Sequence, residues 1–94
     1  MFYYVYILQS LKNNSLHVGY STNLRERLRS HNADENKANK PFTPYKLIFY
    51  EAFLDRIDAK HREEYLKCGY GRKTIYAMIK KYLAASSPVL VEHL

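Results

Sequence analysis

A single cysteine, Cys68, is too few for an intrachain disulfide, so the fold has to hold without a covalent staple, as in a reducing cytosol. Tryptophan is absent, and three glycines and three prolines in 94 residues exclude collagen-like and low-complexity chains. No stretch approaches the ~18 apolar residues of a membrane-spanning helix. The apolar run Phe2 to Leu8 has no basic residue before it, which argues against a secretory signal, and a cytoplasmic location is expected. Carboxylates are scarce as well: nine Asp and Glu stand against fifteen Lys and Arg, a net charge of +6. On so small a body that excess makes a positive field that attracts polyanions, nucleic acid first among them.

What is present is enough apolar material, 47% of residues, for one small core. The pattern predicts a single domain over 1–85 with a tail at 86–94. Phe2 to Leu8 and Leu16 to Tyr20 are rich in aromatic and β-branched residues around a polar Lys12 to Ser15 segment, which reads as a β-hairpin. Period two puts Tyr4, Tyr6 and Leu8 on one face, and Tyr3, Val5 and Ile7 on the other. Asn23 and Glu26 have capping-box spacing before a short helix over about 23–31. Residues 32–44 are polar with two prolines and read as a loop, followed by a third strand from Tyr45 to Tyr50. Asp55 caps a second helix reaching about Cys68, Gly69 to Gly71 reads as a break, and a third helix runs from Arg72 to about Ala85. The expected class is α+β: a small three-stranded, mainly antiparallel sheet flanked by helices in the order β-β-α-β-α-α.

Glu63 is conspicuous because helical spacing puts it beside Ala59 and Leu66, on the face that meets the sheet. A carboxylate there needs a cation, a metal or hydrogen-bond donors, since burying it alone costs on the order of several kcal/mol. Two readings stand: an ion pair with an arginine such as Arg27, or a functional carboxylate. Arg27 and His31, four residues apart, share one side of the first helix. A guanidinium fork fits a phosphate and an imidazole moves protons near neutral pH, so the pair suits phosphodiester chemistry, against the plainer reading of a solvated basic face. Of the ten tyrosines most serve the core or sheet surface. Tyr6 is set apart because hairpin pairing places it on one sheet face with His17. The histidines and Cys68 show no zinc-ligand spacing.

Tyr4-Val5-Tyr6, ten residues, then His17-Val18-Gly19 resembles the paired motifs of the GIY-YIG endonuclease superfamily. The likeness continues through the helix with Arg27 and His31, through Pro44 to Glu51, and through Ala59 to Lys67, in all roughly residues 2 to 80. It is closest to the small single-domain bacterial branch. The resemblance implies a nuclease site on one sheet face, with Tyr6 as the first-motif tyrosine, Arg27 on the scissile phosphate and Glu63 as the single metal-binding carboxylate. His31 lies where some restriction-enzyme members place a functional histidine. Tyr4 replaces the first glycine, His17 stands where the second motif has tyrosine, and no asparagine follows Asn39. A histidine can still accept a proton in that tyrosine's stead.

The favoured expectation is a divalent-metal-dependent endonuclease acting on DNA, with one Mg²⁺ or Mn²⁺ at Glu63 and with Tyr6, His17, Arg27 and His31 around it. Arg25, Arg29, Lys37, Lys40, Lys60, Arg72 and Lys73 are the expected phosphate tracks. The rivals are a nucleic-acid-binding module that has lost catalysis through His17, and a protein-interaction adaptor that uses the tyrosine-rich sheet.

Overall fold

The computed structural model describes residues 1–33 and 43–86. Three antiparallel strands, β1 (Tyr3–Ser10), β2 (Leu16–Ser21) and β3 (Tyr45–Phe53), form one sheet in the order β2-β1-β3. β1 is buried from Val5 to Ser10 because it is the central strand and both its faces are covered. The hairpin turn is closed by Ser10, whose Oγ accepts the Lys12 and Asn13 amides, and by Asn14 at φ 63°, a left-handed conformation that asparagine tolerates.

Helix α1 (Leu24–Asn32) is capped as predicted, with the Asn23 side chain accepting from the Glu26 amide at 3.1 Å. It lies over the face carrying Tyr6, Leu8 and Tyr45, packing Leu24 and Leu28 against them. Helix α2 (Arg56–Lys67) starts at the Asp55 cap, as the sequence predicts, and covers the opposite face. There Ala59 and Leu66, with Ile75 of helix α3 (Gly69–Met78), close a core on Val5 and Ile7.

Three expectations need correction. The Gly69 to Gly71 segment is no break but the first turn of α3; the chain turns one residue earlier, at Cys68, whose extended backbone (ψ 175°) ends α2. Gly71 is buried against the α2 backbone at Tyr65 and Leu66, where a Cβ would collide, so this glycine serves close helix packing. The helix predicted over 72–85 is divided at Ile79 (φ −125°, ψ 36°), and α4 (Lys80–Ser86) follows, so that Leu83 is buried and the Tyr82 hydroxyl reaches Gln9 Oε1 at 2.5 Å. Finally, β3 runs on to Phe53 and carries a bulge: Ile7 pairs with Phe49 but Leu8 with Leu47. The extra residue lets Ile48 and Phe49 both pack on the α2 face while Leu47 stays beneath α1. Most of the predicted 32–44 loop and of the 86–94 tail lies outside the described residues. Among those described, no helix is long and apolar enough to cross a membrane.

Candidate active site

Tyr6 sits in the central strand opposite Gly19 of β2 and Tyr50 of β3, and is only 3% exposed. A Cβ at Gly19 would collide with the tip of the phenol. Glycine there lets the ring lie across β2 and carries the hydroxyl to a cleft at that edge of the sheet.

Packing of Leu24 and Leu28 sets the rotation of α1 so that Arg27 and His31 reach Tyr6. Arg27 Nε donates to the Tyr6 hydroxyl at 3.3 Å, and His31 Nε2 lies 3.3 Å from the same oxygen. A guanidinium only donates, so the phenol accepts from Arg27, and its own proton is available to His31 in the tautomer that leaves Nε2 unprotonated. Burial, then the Arg27 charge, then His17 hold the His31 pKa below its ordinary 6.5, which favours the neutral ring at pH 7.

His17 pairs with Leu8 across the hairpin and therefore shares the face of Tyr6, as the sequence predicts, two residues further along. Its Nε2 is 2.9 Å from Ser15 Oγ, whose own proton goes to Asn13 Oδ1 at 2.7 Å. Nε2 is thus the protonated nitrogen and Nδ1 the basic one. Burial lowers this pKa too. The His17 and His31 rings both stand edge-on to Tyr45, at 5.1 and 5.7 Å. Tyr45 is fixed by Asn32, the last residue of α1, which accepts the Tyr45 amide at 2.7 Å and donates to its carbonyl at 3.1 Å.

Glu63 projects from α2 with its side chain 13% exposed. Its cation is not an arginine: Lys60 Nζ lies 3.4 Å from Oε1 and Lys67 Nζ 3.0 Å from Oε2, both on the same helix. Lys60 also lies over the Tyr20 ring, 4.5 Å from its centre. The neighbouring Arg62 is occupied with Glu51 at 2.9 Å, an ion pair that ties α2 to β3.

Tyr6, His17, Arg27, His31 and Glu63 come from two strands and two helices and line one cleft of about 330 Å³, together with Lys60, Lys67 and Tyr20. Lys67 and Tyr20 were not singled out by sequence; the signal for Lys67 was its position four residues after Glu63, the spacing of a helical ion pair. Of the expected phosphate tracks, Lys60 lines the cleft and Arg72 lines a smaller depression of about 140 Å³ that shares Lys67 with it. Arg25 and Lys73 are exposed, and Arg29 is held in a fork by Glu26 at 2.7 Å. Lys37 and Lys40 lie outside the described residues.

Among the described residues no group of three His, Cys, Asp or Glu could cage a metal ion, and Glu63 is the one carboxylate lining the cleft. That donor set fits a hard divalent cation that keeps most of its waters and takes a single carboxylate, with an exposed lysine giving way.

Tyr6, Arg27 and Glu63 are thus gathered in one cleft beside the three-stranded antiparallel sheet. The chain belongs to the GIY-YIG catalytic domain family, a nuclease family whose pattern matches residues 2–81. It is 36% identical over 80 residues to a UPF0213 protein of Staphylococcus haemolyticus, spanning 84% of this chain and 95% of that one. A UPF0213 protein of Haloquadratum walsbyi is 39% identical over 67 residues, covering 70% and 74% of the two chains. The solution structure of the UPF0213 protein BH0048 from Bacillus halodurans shares the fold with a TM-score of 0.52, at 24% identity over 84% of this chain and 86% of that one.

Proposed function

We propose that this chain is a divalent-metal-dependent endonuclease that hydrolyses phosphodiester bonds in DNA, including branched, nicked or damaged forms. The observation that carries this reading is the Tyr6 hydroxyl, shared between Arg27 and a neutral His31 in the cleft that Glu63 lines. Arg27, beside the phenol, is placed to meet a non-bridging oxygen and the charge that grows on it during attack. The attacking water passes its proton to the Tyr6 oxygen as the phenol proton moves to His31 Nε2, leaving an imidazolium and a phenol restored. His17, basic at Nδ1, is the second acceptor in the cleft. Lys60 and Lys67 turn from Glu63 to the flanking phosphates, which frees the carboxylate. Glu63 would hold Mg²⁺ or Mn²⁺, and the ion when bound would supply Lewis acidity.

A second reading, a nucleic-acid-binding module on the same scaffold without catalysis, is favoured by one observation: both Glu63 oxygens are engaged by lysines. Incubation of the purified protein with branched, nicked and linear DNA and with RNA, in Mg²⁺, Mn²⁺ or EDTA, separates them. Cleavage that needs the metal supports the nuclease, and salt-sensitive binding with no cleavage in any metal supports the module.

A further inference from the structure

The tyrosines of the sheet are not all used by the cleft. Phe2, Tyr4 and Tyr50 form a row of rings at the end of the sheet where α1 begins, with centroids 6.5 Å (Phe2 to Tyr4) and 5.8 Å (Tyr4 to Tyr50) apart. Phe2 is 47% and Tyr50 54% exposed. Neighbouring rings are inclined at 50° and 69°, so they do not use up their faces by stacking on one another.

We infer that this row is a stacking platform for unpaired nucleobases, and that the substrate is held by its single-stranded part. The inference rests on the proposed nuclease reading and names its substrate class. The first argument is continuity. Tyr50 is the direct cross-strand neighbour of Tyr6, and Tyr4 is two residues before it on the same face. A strand that has a phosphate at Arg27 and runs along this face towards the start of β1 would carry its neighbouring bases to these rings.

Charge is the second argument. The chain carries +6, and the cleft reached by the Tyr6 hydroxyl contains Arg27, Lys60 and Lys67 against one carboxylate, which suits a polyanion. Spacing is the third. Ring separations of 5.8 and 6.5 Å exceed the about 3.4 Å per nucleotide of a stacked duplex strand, so they match bases that are splayed apart. Size argues against a second copy of the chain as occupant. Three half-covered rings offer roughly 300 Å², short of the ~800 Å² per partner of a stable protein interface.

The test is fluorescence anisotropy in EDTA, where metal-dependent cleavage does not interfere, with labelled oligo-dT, a hairpin duplex and an abasic phosphodiester chain of equal length. The double variant Tyr4→Ala/Tyr50→Ala should weaken oligo-dT binding about 100-fold, from roughly tenfold per lost stack, and duplex binding about twofold. Tyr50→Trp should keep or tighten the oligo-dT affinity, which guards against misfolding of the double variant. Arg27→Ala should weaken all three ligands alike. Binding to oligo-dT that is indifferent to the tyrosine variants, or abasic chain bound as tightly as oligo-dT, overturns the platform and leaves the nuclease reading standing. No binding to any of the three ligands overturns both. Sedimentation showing a dimer that the double variant dissolves, with oligo-dT affinity unchanged, makes the row a self-association surface and also overturns the inference.

Discussion

The two faces of the sheet have opposite chemistry although they share the same three strands. On one face Val5 and Ile7 of the sheet meet Ala59 and Leu66 of α2 and Ile75 of α3, all 2% exposed or less. Beneath α1 the buried set is Tyr6, Leu8 and Tyr45, rimmed by Arg27, His17 and His31, and α1 itself has no fully buried residue. The first face is held by area removed from water and specifies the fold. The second is held by a few leucines and by directed bonds between polar-tipped rings, so its groups keep an edge open to solvent. A face that must position a proton donor, a proton acceptor and a guanidinium at one oxygen cannot be as dry as a face that only has to pack.

Removing the carboxylate gives the largest effect expected on the chemical side. Glu63→Ala should remain folded and bind DNA, yet lose metal-dependent cleavage by about 10³-fold, since Lewis-acid stabilisation is worth several kcal/mol. It should also lose any rise of Tm with Mn²⁺, because the ion's protein anchor is gone. Cleavage assays and thermal melts with and without Mn²⁺ check this, and equal cleavage by variant and wild type would refute the assignment.

On the dry face the expected loss is of stability. Leu66→Ala should cost about 2–5 kcal/mol in urea unfolding, through lost burial and the cavity left between α2 and β1. Tyr6→Phe should reverse the pattern, cutting cleavage about 10²-fold while moving stability by less than ~1 kcal/mol. If Leu66→Ala left unfolding unchanged, or if Tyr6→Phe unfolded the protein, the division of labour between the faces would be wrong.

His17 sharpens the comparison because it stands on the chemical face in place of the family's tyrosine. His17→Tyr should preserve cleavage and His17→Ala should lower it, by up to about 10²-fold. Equal rates in all three proteins would reduce His17 to a packing residue against Tyr45.

The smallest effect is on pH dependence. His17 and His31 both titrate below 6.5 in the folded chain, His17 through burial and His31 through burial, Arg27 and His17. Just below pH 6.5 the unfolded chain therefore binds more protons than the folded one, and acidification favours unfolding. The two histidines contribute stability that is complete above pH 6.5 and is lost as the pH falls towards their folded values. Tm should fall on acidification across that window, and His17→Gln/His31→Gln should flatten the fall. With both rings as neutral bases in the proposed mechanism, cleavage should rise as the pH climbs through the same window and level off by neutrality.

Much of this was legible in the chain. Alternation in β1 assigned Tyr6 to one face and Val5 to the other, Asn23 and Asp55 marked the starts of α1 and α2, and helical spacing set Glu63 beside Ala59 and Leu66. These are short-range properties, governed by backbone periods and local capping bonds. Gly71 shows the limit. Helix stop and close contact both ask for glycine, and only the neighbouring backbone of α2 distinguishes them. The bulge at Ile48 is likewise invisible in a run of apolar residues, because either register buries something.

By itself the sequence determined the composition of the site: a first-strand tyrosine, a helix arginine and histidine, and one carboxylate on a second helix, with a basic balance that suits a polyanion. Tertiary structure decided which of them touch. Tyr6 meets His31 and Arg27 rather than His17 because Gly19 lets the phenol cross β2 beneath α1, and Glu63 meets its own lysines because α2 lies on the other side of the sheet from Arg27. Local periodicity fixes the direction in which a side chain leaves its own element, whereas the few ångströms between elements are set by how their apolar residues interlock, and hydrogen bonds and ion pairs depend on those few ångströms.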